Sequence, residues 1–184
     1  FLTPSEFGLF DLIYVVTSII NLTIALEITQ GIARFLNERE DDHDRSEYTS
    51  SALWFTILCY LAFMLIYLLN KNFISSIMDY NFENTLLFYL ILFYISTHGL
   101  FNFLQNQLRW ENLPKSYLNF LLSHSVVTLI STYFLVRFFE TPLVGVLLSI
   151  ILGNVVGIIY GVHQVKHRII LSINRTKIME MLKF

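Results

Sequence analysis

Residues 143–163 read LVGVLLSIILGNVVGIIYGVH, twenty-one consecutive positions without an Asp, Glu, Lys or Arg. At 1.5 Å per residue a helix of that length reaches about 30 Å, the thickness of a bilayer's hydrocarbon core. Nothing in that core satisfies an exposed backbone N–H or C=O, so the stretch is expected to be helical. Gly145, Ser149, Gly153, Gly157 and Gly161 recur every four residues and share one face. Such a ridge of small residues lets a second helix approach to backbone contact, and it predicts a helix-packing surface.

Four more apolar stretches meet the same criterion, at about residues 12–35, 51–69, 85–105 and 117–139. The expected fold class is all-α, a polytopic membrane helix bundle of five spans. Composition agrees: the 184 residues are 55% hydrophobic and 14% charged, against roughly 25% charged in a soluble domain. Mean hydropathy is +0.59.

The basic residues are one-sided. Arg34, Arg39, Arg45, Arg109, Lys115, Lys166, Arg168, Arg175, Lys177 and Lys183 fall in alternate segments, and only Lys71 and Arg137 fall in the others. Basic loops stay cytoplasmic, which predicts an outside amino end and a cytoplasmic carboxyl end. The sequence opens at Phe1 without a Met or a basic leader, so a preceding span is expected to be missing. Residues 37–47 read as a solvated charged loop, and residues 70–84 as a weakly charged stretch along the outer interface. Residues 164–184 read as a cytoplasmic basic segment, in the form of an amphipathic helix on the inner surface.

Several chemistries find no support. A single Cys59 excludes an intrachain disulfide framework and a cysteine metal cluster. There is no phosphate-binding glycine loop and no His-Glu-x-x-His, and no acid stands near His124 and its neighbouring hydroxyls to form a hydrolase triad. The run Asp41, Asp42, His43, Asp44 reads as solvated loop rather than metal site. No metal, cofactor or nucleic-acid partner is expected.

Two polar faces remain. In the first span Thr23, Glu27, Gln30, Gly31 and Arg34 share a side. Glu27 lies about 10 Å deeper than Arg34, where an acid costs about 2.5–3.5 kcal/mol. Ten Leu, Ile and Val residues between Leu12 and Ile28 offset that cost. Glu27 therefore faces protein or a wet cavity, as an ion-coupling carboxylate, a substrate contact or a structural partner. In the third span Tyr94, His98, Asn102, Gln105 and Arg109 recur at offsets of four, four, three and four. Such a stripe lines either an interhelical seam or an aqueous cavity, and His98 is its titratable member.

The order of features resembles the bacterial polysaccharide flippases, the O-antigen and capsule repeat-unit transporters of the multidrug/oligosaccharidyl-lipid/polysaccharide superfamily. FLTPSEFGLFDL at residues 1–12 resembles the junction after their first helix. Gly31-Ile32-Ala33-Arg34-Phe35 resembles the end of their second helix, Gln107-Leu108-Arg109-Trp110 their fourth-helix exit, and Met181-Leu182-Lys183-Phe184 the approach to their seventh helix. The resemblance implies that residues 1–184 are a partial amino-terminal lobe, helices two to six. The first helix and the second lobe would be the missing partners.

It also implies alternating-access movement of undecaprenyl-diphosphate-linked oligosaccharide across the inner membrane, with no enzymatic activity. Arg34, Arg109, Asn102 and Gln105 are then the candidate substrate contacts. Glu27, Gln30 and His98 are the candidates for ion coupling or cavity lining. The chain departs from the family pattern in having no mid-membrane Lys or Arg. Two other readings stay open: a small-solute or drug exporter of the same superfamily, with a compact acidic cavity, and a membrane transferase acting on a lipid-linked sugar.

Overall fold

Each apolar stretch becomes one long helix: α1 (Pro4–Glu38), α2 (Asp42–Leu69), α4 (Thr85–Trp110), α5 (Pro114–Phe138) and α6 (Pro142–Val165). A short α3 (Lys71–Ile77) follows α2, and a 3-10 turn (Lys166–Arg168) leads from α6 to α7 (Arg175–Leu182). The computed structural model describes residues 2–38, 41–77 and 85–183, and among them there is no β-strand. Five helices are long and apolar enough to cross a membrane. The fold is all-α and the protein is a multi-pass membrane protein.

Local chemistry sets the helix limits. Pro114 and Pro142 occupy the first turns of α5 and α6, where a missing N–H costs no hydrogen bond. α4 closes in a Schellman arrangement: Leu113 N–H donates to Leu108 O at 3.2 Å and Asn112 N–H to Arg109 O at 3.2 Å. Asn112 takes the left-handed backbone this motif requires, with φ 53°. The expected solvated loop at residues 37–47 is mostly helix instead. Asp41 accepts the Asp44 N–H at 3.2 Å as an N-cap, and Asp42 and Asp44 stand in the first turn, where the helix dipole favours acids.

Leu65, Leu69, Leu129, Phe134 and Phe138 are 64%, 84%, 71%, 64% and 80% exposed. In water such a surface would aggregate; in a bilayer it meets acyl chains. The interior is built around α4, which packs against α1, α2, α5 and α6. Its Tyr94, Phe103, Leu104 and Leu108 are all buried.

The small residues of α6 face α5 and α4. A Cβ on Gly145 would lie 2.7 Å from the Leu135 carbonyl oxygen, and one on Gly153 would lie 2.0 Å from Thr128 Oγ1. Gly157 meets the Phe101 ring, Gly161 meets Phe120 and Leu104, and the Ser149 hydroxyl lies 2.7 Å from Thr132 Oγ1.

One end of the bundle carries the charge. Glu111, at the end of α4, pairs with Arg45 at 3.4 Å and with Arg168 at 3.5 Å. Arg168 also reaches Asp42 at 2.7 Å, and Lys177 of α7 sits 2.7 Å from both Asp44 and Glu47. Hydrogen bonding from Lys177 holds the Glu47 carboxyl below its ordinary range. Burial disfavours the Lys177 ammonium, but the two carboxylates more than offset that and its pKa is raised. The apolar side of α7 is not presented to lipid: Ile178 and Met181 are buried, with Met181 against Gly31 of α1.

Candidate functional site

α1 and α4 diverge enough to leave a groove of about 480 Å³ between them. The α4 wall carries His98, Asn102, Gln105 and Asn106, and the α1 wall carries Tyr14, Ser18, Asn21 and Thr29. These are amides, hydroxyls and one imidazole; no Asp, Glu, Lys or Arg lines it among the described residues.

A buried contact fixes the groove's base. Gly99 lies where α2 projects Tyr60 toward α1: a Cβ on Gly99 would sit 1.7 Å from the Tyr60 hydroxyl oxygen. That hydroxyl donates to Asn21 Oδ1 at 2.7 Å. With Oδ1 so occupied, the amide's nitrogen is the group left to donate, and Asn21 Nδ2 is buried without a protein partner. Tyr60 is 2% and Asn21 8% exposed. An unmet buried donor costs about 1–3 kcal/mol, and this one lies just beneath the groove's polar lining.

Of the stripe on α4, His98, Asn102 and Gln105 line the groove, whereas Tyr94 is buried beneath and stacks on the His98 ring at 5.6 Å. Gln105 Nε2 donates to the Tyr117 hydroxyl of α5 at 3.1 Å. Tyr117 and Arg109 line a smaller pocket of about 330 Å³ at the charged end. Arg109 therefore does not line the groove; it stands one turn beyond Gln105 on α4 and shares the smaller pocket with Tyr117.

The other candidates on α1 stand elsewhere. Thr23, Gln30 and Arg34 are exposed, but at 3.6 residues per turn their side of α1 is nearly opposite that of Tyr14, Ser18 and Thr29. Gly31 is buried under α7. Glu27 belongs to α1, and its side chain lies outside the described residues.

Sequence reasoning passed over Tyr14, Ser18 and Asn21, which their offsets of four and three along one face of α1 would have revealed. The helix contact expected for His124 and the hydrogen bond expected for Asn154, off the glycine ridge, are both found in a second polar seam among α4, α5 and α6. There Asn154 Nδ2 donates to Thr97 Oγ1 at 3.4 Å, and the His124 ring lies 4.5 Å from that of Phe101. In the run Asp41, His43 and Asp44 the possible ligand atoms lie within 4.8 Å of one another, but Asp41 caps α2 and Asp44 pairs with Lys177.

Comparison with curated proteins and with solved structures finds no match to this chain. A family model does match, that of the polysaccharide biosynthesis proteins, and it extends over residues 1–184. With five bilayer-length helices and a groove of neutral polar groups between two of them, the chain belongs to the polysaccharide biosynthesis protein family.

Proposed function

We propose that this chain is part of a transporter that moves lipid-linked oligosaccharide, as undecaprenyl-diphosphate repeat units, across the bacterial inner membrane. It works by alternating access, with the charged end of the bundle cytoplasmic. The observation that carries the reading is the groove's chemistry. Sugar hydroxyls both donate and accept, and amides and hydroxyls answer in kind. Asn102, Gln105, Asn106 and Asn21 supply four amides to a single groove of about 480 Å³.

The charge pattern supports the same reading. Arg109 stands one turn beyond Gln105 on α4, toward the charged end, and Arg34 is exposed on the other side of α1. A guanidinium is the side chain suited to a diphosphate, because its fork matches two oxygens at once. Ten of the twelve basic residues favour a cytoplasmic charged end. Among the described residues the groove is lined by none of the acids that a compact cation-exporter site would need. Within the cycle we assign cavity polarity to His98 in the groove, ion coupling to Glu27 and Gln30 on the other side of α1, and close α6 packing to the ridge at Gly145, Ser149, Gly153, Gly157 and Gly161. The remainder of the transporter, a first helix and a second lobe, completes the cavity.

The test uses the full-length protein in cells that depend on it. Asn102→Leu with Gln105→Leu is expected to leave membrane abundance intact, lower surface polysaccharide and accumulate lipid-linked intermediate. Normal surface polysaccharide from that variant removes the groove from the transport path. Deletion of the whole protein with no accumulated intermediate overturns the transporter reading itself.

A further inference from the structure

The segment between the 3-10 turn and α7 is tied to α2 through its backbone. Ser50 Oγ donates to Arg168 O at 2.8 Å and accepts Ile170 N–H at 2.8 Å. Trp54 Nε1 donates to Ile170 O at 3.2 Å, and Ser51 Oγ accepts Asn174 N–H at 3.0 Å. Four bonds over seven residues leave the segment little freedom.

What this fixture presents outward is apolar. Leu171 is 94% exposed and Ile173 55% exposed. The backbone bends at Leu171, which stands clear of the surface, and Ile173 is exposed two residues further on. A polar loop would serve a merely connecting role; two protruding branched aliphatics on a rigid mount do not.

The depth of the mount identifies what covers them. The predominantly apolar run of α2 begins at Ala52, after Thr49, Ser50 and Ser51, and continues to Leu69, eighteen residues, or about 27 Å of helix. Ser50, Ser51 and Trp54 therefore stand at the edge of the hydrocarbon, the level where a Trp ring settles. Leu171 and Ile173 project at that same level. Lys166 and Arg175 flank them in sequence and are exposed, whereas Arg168 and Lys177 are taken by carboxylates.

We infer that residues 169–173 dock on the bilayer itself. Leu171 and Ile173 enter the acyl boundary at the charged end, and Lys166 and Arg175 lie over anionic headgroups. Apolar insertion beside cationic side chains is the combination that holds a segment on an anionic lipid surface. The clamp on α2 then fixes the level at which the bundle sits. The inference needs only that the bundle spans a bilayer, so it stands or falls apart from the transport reading.

The full-length protein, cysteine-free except for Leu171→Cys carrying an NBD fluorophore, is placed in nanodiscs containing anionic phosphatidylglycerol. Because Leu171 is 94% exposed and lies outside the packed interior, the change does not disturb packing. Nitroxide on the upper acyl chain of the lipid is expected to quench the fluorophore by about half, as for a side chain at the acyl boundary. A label at Thr176→Cys is expected to be quenched far less. Replacing the anionic lipid by phosphatidylcholine, or combining Lys166→Gln with Arg175→Gln, is expected to reduce quenching at position 171. Quenching by aqueous iodide in place of nitroxide lipid overturns the inference. So does a blue-shifted emission that neither agent affects, which would mean that another part of the protein covers the site.

Discussion

Replacing Gly99 by Ala tests the packing that shapes the groove. The added Cβ would fall 1.7 Å from the Tyr60 hydroxyl oxygen, 2.1 Å from its Cζ and 2.8 Å from Asn21 Oδ1. Ordinary contacts begin near 3.4 Å, so the ring must retreat by well over an ångström. Tyr60 is 2% exposed and has no open space to enter. Overpacking of this kind costs about 1–3 kcal/mol, and loss of the Tyr60–Asn21 hydrogen bond adds about 1 kcal/mol.

The expected destabilisation is therefore about 2–4 kcal/mol, read as a lowered thermal midpoint of the full-length protein in detergent. Gly8→Ala is the control. Nothing lies within 4 Å of a Cβ there, and Ala is a better helix former than Gly by about 1 kcal/mol, so that variant is neutral or stabilised. The decisive measurement is a double-mutant cycle with Tyr60→Leu, which removes the ring tip. Gly99→Ala should cost much less in that background. An equal cost in both backgrounds, or none in either, refutes the placement of Tyr60 against α4.

Along α6 the cost of added bulk depends on what it meets. Gly145→Ala, facing the Leu135 backbone, should destabilise more than Gly161→Ala, whose nearest neighbour is a Phe120 ring edge at 2.9 Å; paired melting curves give the order. The docking of α7 should depend on pH in two directions. The Glu47 pKa is depressed, so its contribution is complete above its ordinary value of 4.5 and is lost as pH falls through the lower folded value. The Lys177 pKa is raised, so its contribution is complete below 10.5 and is lost as pH rises through the higher folded value. Protection of the amides in residues 175–182 against hydrogen exchange, relative to their intrinsic rates at each pH, should be greatest between those limits. Uniform protection into the acid range would exclude a role for the Glu47–Lys177 pair. Glu27→Gln should lower transport at unchanged membrane abundance, and normal transport would remove that carboxylate from the coupling step.

Much of the architecture was legible because the relevant free energies sum locally. A run such as residues 143–163 is apolar at nearly every position, and its transfer into lipid depends on no partner. The four-residue recurrence of small residues in α6 and the stripe through His98, Asn102 and Gln105 are likewise properties of one helix. The groove's opposite wall was not legible. Thr23, Gln30 and Arg34 make as plausible a polar face as Tyr14, Ser18 and Asn21, and periodicity cannot say which one meets α4. The residues from 42 onward read as loop because their charge density suits solvent, yet caps and ion pairs with distant residues make them the first turns of α2.

The sequence by itself determined that the chain lives in a bilayer, how many times it crosses and where its charge gathers. Tertiary structure alone decided that Tyr60 reaches Asn21 past Gly99, that Glu111 gathers Arg45 and Arg168, and that α7 turns its apolar side onto α1. Partition into lipid is a sum over neighbouring residues. Pairing of groups 39, 66 or 133 positions apart depends instead on how whole helices rotate against one another, and that rotation is set by all their contacts together.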